Sequence, residues 1–307
     1  MICSTCTKEH DEETKTCKSC KEYKRKYRIE NADKIKKQHK EYYAQNADKI
    51  KEKMKKYQEF FADKIKEQKK EYYENNADKI KECRKEYRAT VHGKFMRVMD
   101  NARRRYIPFE ITEEFVGDLT DKECFYCGQK TTNICRNGVD RLDNTKGYIE
   151  SNVVSCCGSC NFMKQCLDPQ TFVERCAQVS LHNGFGGAVC EFWDDIKGTT
   201  YVIYKRENNK RKEFQLTKDQ YDDLRQGNCT YCGRTCTESH MNGIDCIDSS
   251  CGYIINNCVS CCGDCNFAKG TMTADDFIQK CVTIASKTHI FPDIPRCVKM
   301  FARNRPK

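Results

Sequence analysis

The sequence predicts an α+β protein in four parts: a cysteine knuckle (1–22), a long basic helical arm (23–92), and two tandem copies of one small module (93–195 and 196–307). Three observations predict it. The chain opens on two CxxC pairs, runs on through a proline- and glycine-free stretch with a 15-residue repeat, and then reads twice over at a constant offset of 105 residues.

The opening segment holds Cys3-x2-Cys6 and, ten residues on, Cys17-x2-Cys20. Two such pairs facing each other supply four thiolates, the donor set of a closed structural zinc site. A segment this short cannot build an apolar core, so metal binding is expected to supply its folding free energy.

In the arm, Ala32-Asp33-Lys34-Ile35-Lys36 returns at Ala47, Ala62 and Ala77, and tyrosines return at 27, 42, 57, 72 and 87. No proline or glycine occurs between Met1 and His92, and Lys, Glu, Gln and Ala, all good helix formers, dominate. The reading is one long helix or a helical hairpin over residues 21–88, with Asn31, Asn46 and Asn76 as alternative caps of shorter helices. Residues 21–90 carry 23 Lys plus Arg against 14 Asp plus Glu, so nearly all of the formal +10 of the chain sits here. Such an arm can lie along a phosphate backbone, serve as a solvated spacer, or self-associate.

From Gly93 onward the repeat is gapless. Cys124-Phe-Tyr-Cys-Gly128 matches Cys229-Thr-Tyr-Cys-Gly233, Gly138-Val-Asp-Arg-Leu-Asp143 matches Gly243-Ile-Asp-Cys-Ile-Asp248, and Cys156-Cys-Gly-Ser-Cys-Asn161 matches Cys261-Cys-Gly-Asp-Cys-Asn266. Each half should be one domain. In each, a CxYCG knuckle and a CxxC pair some thirty residues on make a four-thiolate zinc site: Cys124, Cys127, Cys157 and Cys160 in the first, Cys229, Cys232, Cys262 and Cys265 in the second. Cys156 and Cys261 compete for the third position, but the two-residue gap favours Cys157 and Cys262.

The 25 cysteines in short fixed spacings read as zinc ligands rather than disulfides. No apolar stretch follows Met1 and no run approaches a membrane span, so the expected location is intracellular (the cytoplasm or nucleus of a host cell, or a virion), with no secretion and no membrane partner. The basic excess favours nucleic acid as partner, DNA first.

The strings CFYCG, GVDRLDNTKGY and NVVSCCGSCNFMK resemble the HNH (ββα-metal) endonuclease superfamily, in its zinc-bound recombination-endonuclease-VII-like branch, as carried by phage and giant-virus proteins. The resemblance implies two tandem treble-clef modules. It implies a catalytic divalent metal, Mg²⁺ or Mn²⁺, on Asp140 and Asn161, with Asp245 and Asn266 as the equivalents in the second half. Where the family has its general-base histidine, this chain has Arg141 and Cys246. Arginine stays protonated and cannot accept a proton, but it can bind a phosphate or stabilise its developing charge. His240 is the only imidazole near Asp245. Arg103, Arg104, Arg105 and Lys164 are the expected phosphate contacts. The function so predicted is nucleic-acid binding, with weak metal-dependent cleavage by the first module. The competing expectation is an inactive scaffold or virion component with the modules as rigid knobs.

Overall fold

The computed structural model describes residues 2, 4–9, 16–132, 135–210 and 212–300. It is a mixed structure of twelve α-helices and two small two-stranded sheets among these residues. The chain divides into two compact units, Met1–Lys81 and Glu82–Lys307.

The first unit begins with an isolated antiparallel bridge between Ile2 and Glu9 and the thiols of Cys6, Cys17 and Cys20. Helices α1 (Lys18–Glu30), α2 (Ala32–Phe60) and α3 (Ala62–Asn75) follow, and α4 (Ala77–Ala89) spans the division between the units. Single residues separate them: Asn31, Phe61 and Asn76, each with φ between −118° and −104° and ψ between 13° and 19°. The backbone ladder nevertheless runs through each break, as in Asn31 N–H to Tyr27 O (3.0 Å) followed by Ile35 N–H to Asn31 O (2.9 Å). The helices are therefore joined end to end, and the hairpin alternative drops out. The asparagines do not act as N-caps. Asn31, Asn46 and Asn76 each donate their side-chain amide back to the carbonyl four residues earlier, at 2.8–2.9 Å. No residue of α1, α3 or α4 is buried, so the tyrosine stripe covers no core: Tyr27, Tyr42, Tyr57, Tyr72 and Tyr87 are all about half exposed.

The second unit holds the duplicated modules. The first comprises α5 (Val91–Arg104), α6 (Glu113–Asp121), β1 (Gly138–Arg141), β2 (Val153–Cys156), α7 (Gly158–Lys164) and α8 (Pro169–His182). The second repeats the set as α9 (Tyr201–Asn208), α10 (Lys218–Gln226), β3 (Gly243–Cys246), β4 (Cys258–Cys261), α11 (Gly263–Lys269) and α12 (Ala274–Ala285). The hairpins share a register, with Asp140 opposite Val154 and Asp245 opposite Val259. Threonine side chains start α5, α6, α10 and α12, accepting from the backbone N–H three residues on. Each removes an orphan donor at the helix start.

The knuckles close on glycine because Gly128 and Gly233 both sit at φ 72°, where a Cβ is strained. Cys157 and Cys262 then cap α7 and α11, each sulfur accepting from the N–H of the second cysteine of its pair at 3.4–3.5 Å. A turn that fixes two thiols and a helix start that fixes two more bring all four together.

Each module has a small core of its own, around Val116 and Val139 in the first and Tyr221 and Ile244 in the second, and the two also share a larger one. One apolar cluster draws Tyr126, Met163 and Phe172 from the first and Tyr231, Phe277 and Ile284 from the second, with all eight module cysteines of the CxxC type at or against it. Phe162 and Phe267, equivalent under the repeat, stack at 5.1 Å and 22°. Each long helix reaches the other module's knuckle. Gln178 and Asn183 on and after α8 donate to the carbonyls of Cys232 and Tyr231 (both 2.8 Å), and Lys287 after α12 donates to Cys124 O (3.3 Å). This is a pseudo-two-fold pair within one chain. The segment after α12 returns across the first module, where Arg296 forms a forked ion pair with Glu174 (2.7 and 2.8 Å).

Candidate metal centres and an arginine-lined cleft

Three thiol clusters could hold metal ions. The sulfurs of Cys124, Cys127, Cys157 and Cys160 all lie within 4.8 Å of one another, as do those of Cys229, Cys232, Cys262 and Cys265, and of Cys6, Cys17 and Cys20. Cys3, the predicted fourth member of the last set, lies outside the described residues. In each cluster one sulfur pair stands at 3.8 Å: Cys127–Cys157, Cys232–Cys262 and Cys6–Cys17. Four sulfurs on a tetrahedron about 2.3 Å from a central zinc would stand about 3.8 Å apart, whereas a disulfide needs about 2.05 Å. The donor sets fit zinc.

Electrostatics point the same way. With four thiols crowded together, hydrogen bonds from Cys127 and its neighbours push Cys124 far below the ordinary thiol range, while the Cys124 thiolate pushes Cys160 far above it. Cys229 and Cys265 are split in the same way. A divalent cation relieves that competition by letting all four ionise. Cys156 and Cys261 fall outside these clusters: their thiols sit at 3.3–3.4 Å from the carbonyls of Cys157 and Cys262 and also contact the Cys124 and Cys229 sulfurs.

The aspartates of the two hairpins are held alike. Asp140 Oδ2 accepts from the Tyr126 hydroxyl at 2.8 Å, and the Lys164 ammonium stands 3.2 Å from Oδ2 and 3.3 Å from Oδ1. Lys164 is fully buried and also donates to Arg141 O at 3.0 Å. In the second module Tyr231 donates to Asp245 at 2.7 Å, and Lys269, also fully buried, sits 3.1 Å from Asp245 Oδ2 and 3.1 Å from Cys246 O. Burial first, and then the neighbouring aspartate, hold both tyrosines above the usual phenol range, so they remain donors.

This corrects the expected role of Lys164. It is not a phosphate contact, because its ammonium is sealed inside the module against Asp140. Asn161 donates its amide toward Val139 O at 3.5 Å and Asn266 donates to Ile244 O at 2.8 Å, so both pin a helix start to a strand. Arg141 is 5% exposed; it donates to the carbonyls of Asn144 (3.0 Å) and Lys146 (2.5 Å) and lies over the Tyr148 ring at 5.2 Å. Its guanidinium braces the hairpin loop. His240 is 1% exposed, with Nε2 at 3.1 Å from Asn242 and Nδ1 accepting from Ile196 N–H.

Asp140, Arg141 and Asn161 are nevertheless neighbours on the wall of one polar cleft of about 310 Å³, which Arg97 and Arg105 line from the α5 side. Among the described residues the Arg97 and Arg105 side chains have no hydrogen bond and no ion pair. Arg103 pairs with Asp100 at 3.6 Å and Arg104 donates to Asn101 at 2.6 Å, both on the exposed side of α5. Of the predicted run Arg103–Arg105, only Arg105 faces the cleft. Arg97 was missed, although it lies eight residues before Arg105, two helical turns on the same face. The second module has Val202 and Lys210 at these positions, and Lys210 pairs with Glu207 at 3.4 Å.

No family model and no solved structure matches the chain. An uncharacterized protein of Acanthamoeba polyphaga mimivirus is 34% identical to it over 195 residues, which is 62% of this chain and 37% of that protein. The chain thus spans little more than a third of the relative it matches. Among the described residues no helix is long and apolar enough to cross a membrane. What fold and site define is a protein of helices and small sheets with cysteine clusters suited to zinc. Its similarity is to a giant-virus protein.

Proposed function

We propose that this is a zinc-dependent nucleic-acid-binding protein whose two modules are HNH-like treble clefs kept for binding rather than for cutting. Zinc at the three thiol clusters supplies the structural metal. The knuckle, hairpin and capped helix converging on one thiol set are the parts a treble clef needs.

One observation carries the binding-only reading: in both modules a buried lysine already neutralises the aspartate that a catalytic Mg²⁺ or Mn²⁺ would require. A hard divalent ion needs open carboxylate lone pairs. Asp140 and Asp245 instead give theirs to an ammonium and a tyrosine hydroxyl, so the residues present do not fit a catalytic metal. The duplication strengthens this. The Asp–Tyr–Lys set is identical in both copies, while the position of the expected base holds Arg in one and Cys in the other.

Binding falls to the open cations. Arg97 and Arg105 offer two unpaired guanidinium groups over a cleft, a geometry suited to forked contacts with phosphate oxygens. The basic arm adds sequence-independent attraction. Phosphate contacts of this kind position a protein without reading bases.

The test is binding of a labelled DNA duplex and a labelled single strand across a salt series. The expected log–log slope is steep, and Arg97→Ala/Arg105→Ala should flatten it by about two units, one for each lost phosphate contact. Deleting residues 21–81 should flatten it further. A flat slope in the intact chain would reject nucleic acid as the partner and favour a scaffold role.

A further inference from the structure

We propose that Lys280, on the last helix of the second module, is a working part of the first module's metal centre, setting how firmly that centre keeps its zinc. The inference rests on the reading of the thiol clusters as zinc sites. Lys280 Nζ stands 3.0 Å from Cys127 Sγ and 3.6 Å from Cys157 Sγ, and its third contact is Gln129 Oε1 at 3.4 Å. Cys124, Cys157 and Cys160 are buried and Cys127 is not, whereas all four sulfur ligands of the second centre are buried.

Four thiolates on a divalent zinc leave two negative charges to be offset by surroundings. An ammonium donating to the two sulfurs offsets that charge, lowers their nucleophilicity and opposes the protonation by which a thiolate leaves the metal. Groups that hydrogen-bond to metal ligands commonly change metal affinity by about 10- to 100-fold. In the first centre the most accessible sulfur is the one that Lys280 touches most closely.

The repeat supplies an internal control. The residue equivalent to Lys280 is Arg175 on α8, and it is turned to another purpose. Its guanidinium pairs with Asp264 at 3.2 Å, lies over the Trp193 ring at 4.7 Å, and donates to the carbonyls of Phe192 (3.0 Å) and Val298 (2.7 Å). Asp264 replaces Ser159 of the first module. The second centre is thus sealed by burial, while the first is guarded by a cation lent from the other module. Zinc retention at the first centre depends on the docking of α12, and the two centres should differ in lability for this reason.

The experiment uses the full chain loaded with zinc, as wild type, Lys280→Met, Lys280→Gln and Lys280→Arg. Bound zinc per chain is counted first, by atomic emission. Release is then followed with excess pyridylazoresorcinol, and cysteine labelling with N-ethylmaleimide is mapped by mass spectrometry. In that labelling the sulfur electron pair forms the C–S bond as the Zn–S bond breaks, and the other alkene carbon takes a proton from water. The expected result is unchanged zinc content, with one zinc leaving about 10-fold faster in Lys280→Met and Cys127 labelled earliest. Lys280→Gln, which keeps a donor without the charge, should fall between, and Lys280→Arg should behave as wild type. The sulfurs of Cys229, Cys232, Cys262 and Cys265 should label no faster than before. Equal release and labelling in all four proteins would overturn the role of Lys280 with the zinc reading intact. A wild-type chain that binds no zinc would overturn the zinc reading itself, and the proposal with it.

Discussion

Cys160→Ser should abolish stable folding of both modules, not only of the first. Structural zinc contributes about 10–16 kcal/mol to the folded state of small zinc modules, more than the roughly 5–15 kcal/mol net stability of an ordinary domain. The mutated centre lies at the shared apolar cluster, and α12 of the second module packs on α8 and against the first knuckle. Loss of the first centre therefore exposes surface on both halves. Thermal unfolding of wild type followed by circular dichroism should show one transition for residues 82–307, and the variant should show no cooperative transition. Two separate transitions in the variant, one with the wild-type midpoint, would mean that the modules fold independently. Excess chelator acting on wild type should reproduce the effect of the variant.

The second large effect is expected from Lys164→Met. The substitution preserves length and apolar volume but leaves the Asp140 carboxylate buried, with only the Tyr126 hydroxyl to compensate it. Removing one partner of a buried ion pair typically costs about 3–5 kcal/mol, while replacing both is often nearly neutral. Lys164→Met/Asp140→Asn should therefore recover most of the stability lost in the single variant. Lys269→Met and Lys269→Met/Asp245→Asn should repeat the pattern. Urea unfolding of these four variants beside wild type gives the comparison directly. A single variant within about 1 kcal/mol of wild type would show instead that the pair is open to solvent or to a metal ion.

The two lysines also mark what the sequence could convey. The thiol sites were legible because ligand spacing is local: a turn with glycine at φ 72° and a helix cap each fix two sulfurs, and the repeat states the pattern twice. The 15-residue period announced helix, although it left open whether asparagine would cap or continue the chain. Backbone bonds through Asn31 and Asn76 answered that. Lys164 read as a surface cation because charged residues are almost never fully buried unless paired. Its partner lies 24 residues away on a strand, and no local pattern links them. The bracing of Arg141 was hidden for a similar reason, since its guanidinium is held by carbonyls in a loop whose shape appears only when the hairpin folds. The docking of α8 on α12, which makes two modules into one body, is a contact over a hundred residues of chain and has no signature in either copy alone.

Binding without cleavage is tested on a supercoiled plasmid incubated with zinc-loaded protein and Mg²⁺ or Mn²⁺. It is run on a gel once as the complex and once after protein digestion. The expected result is a retarded complex and, after digestion, plasmid that is still fully supercoiled. Retardation should weaken in Arg97→Ala/Arg105→Ala. Metal-dependent nicking that disappears in Asp140→Asn would contradict binding without cleavage, since Asp140 would then be holding a catalytic ion rather than Lys164.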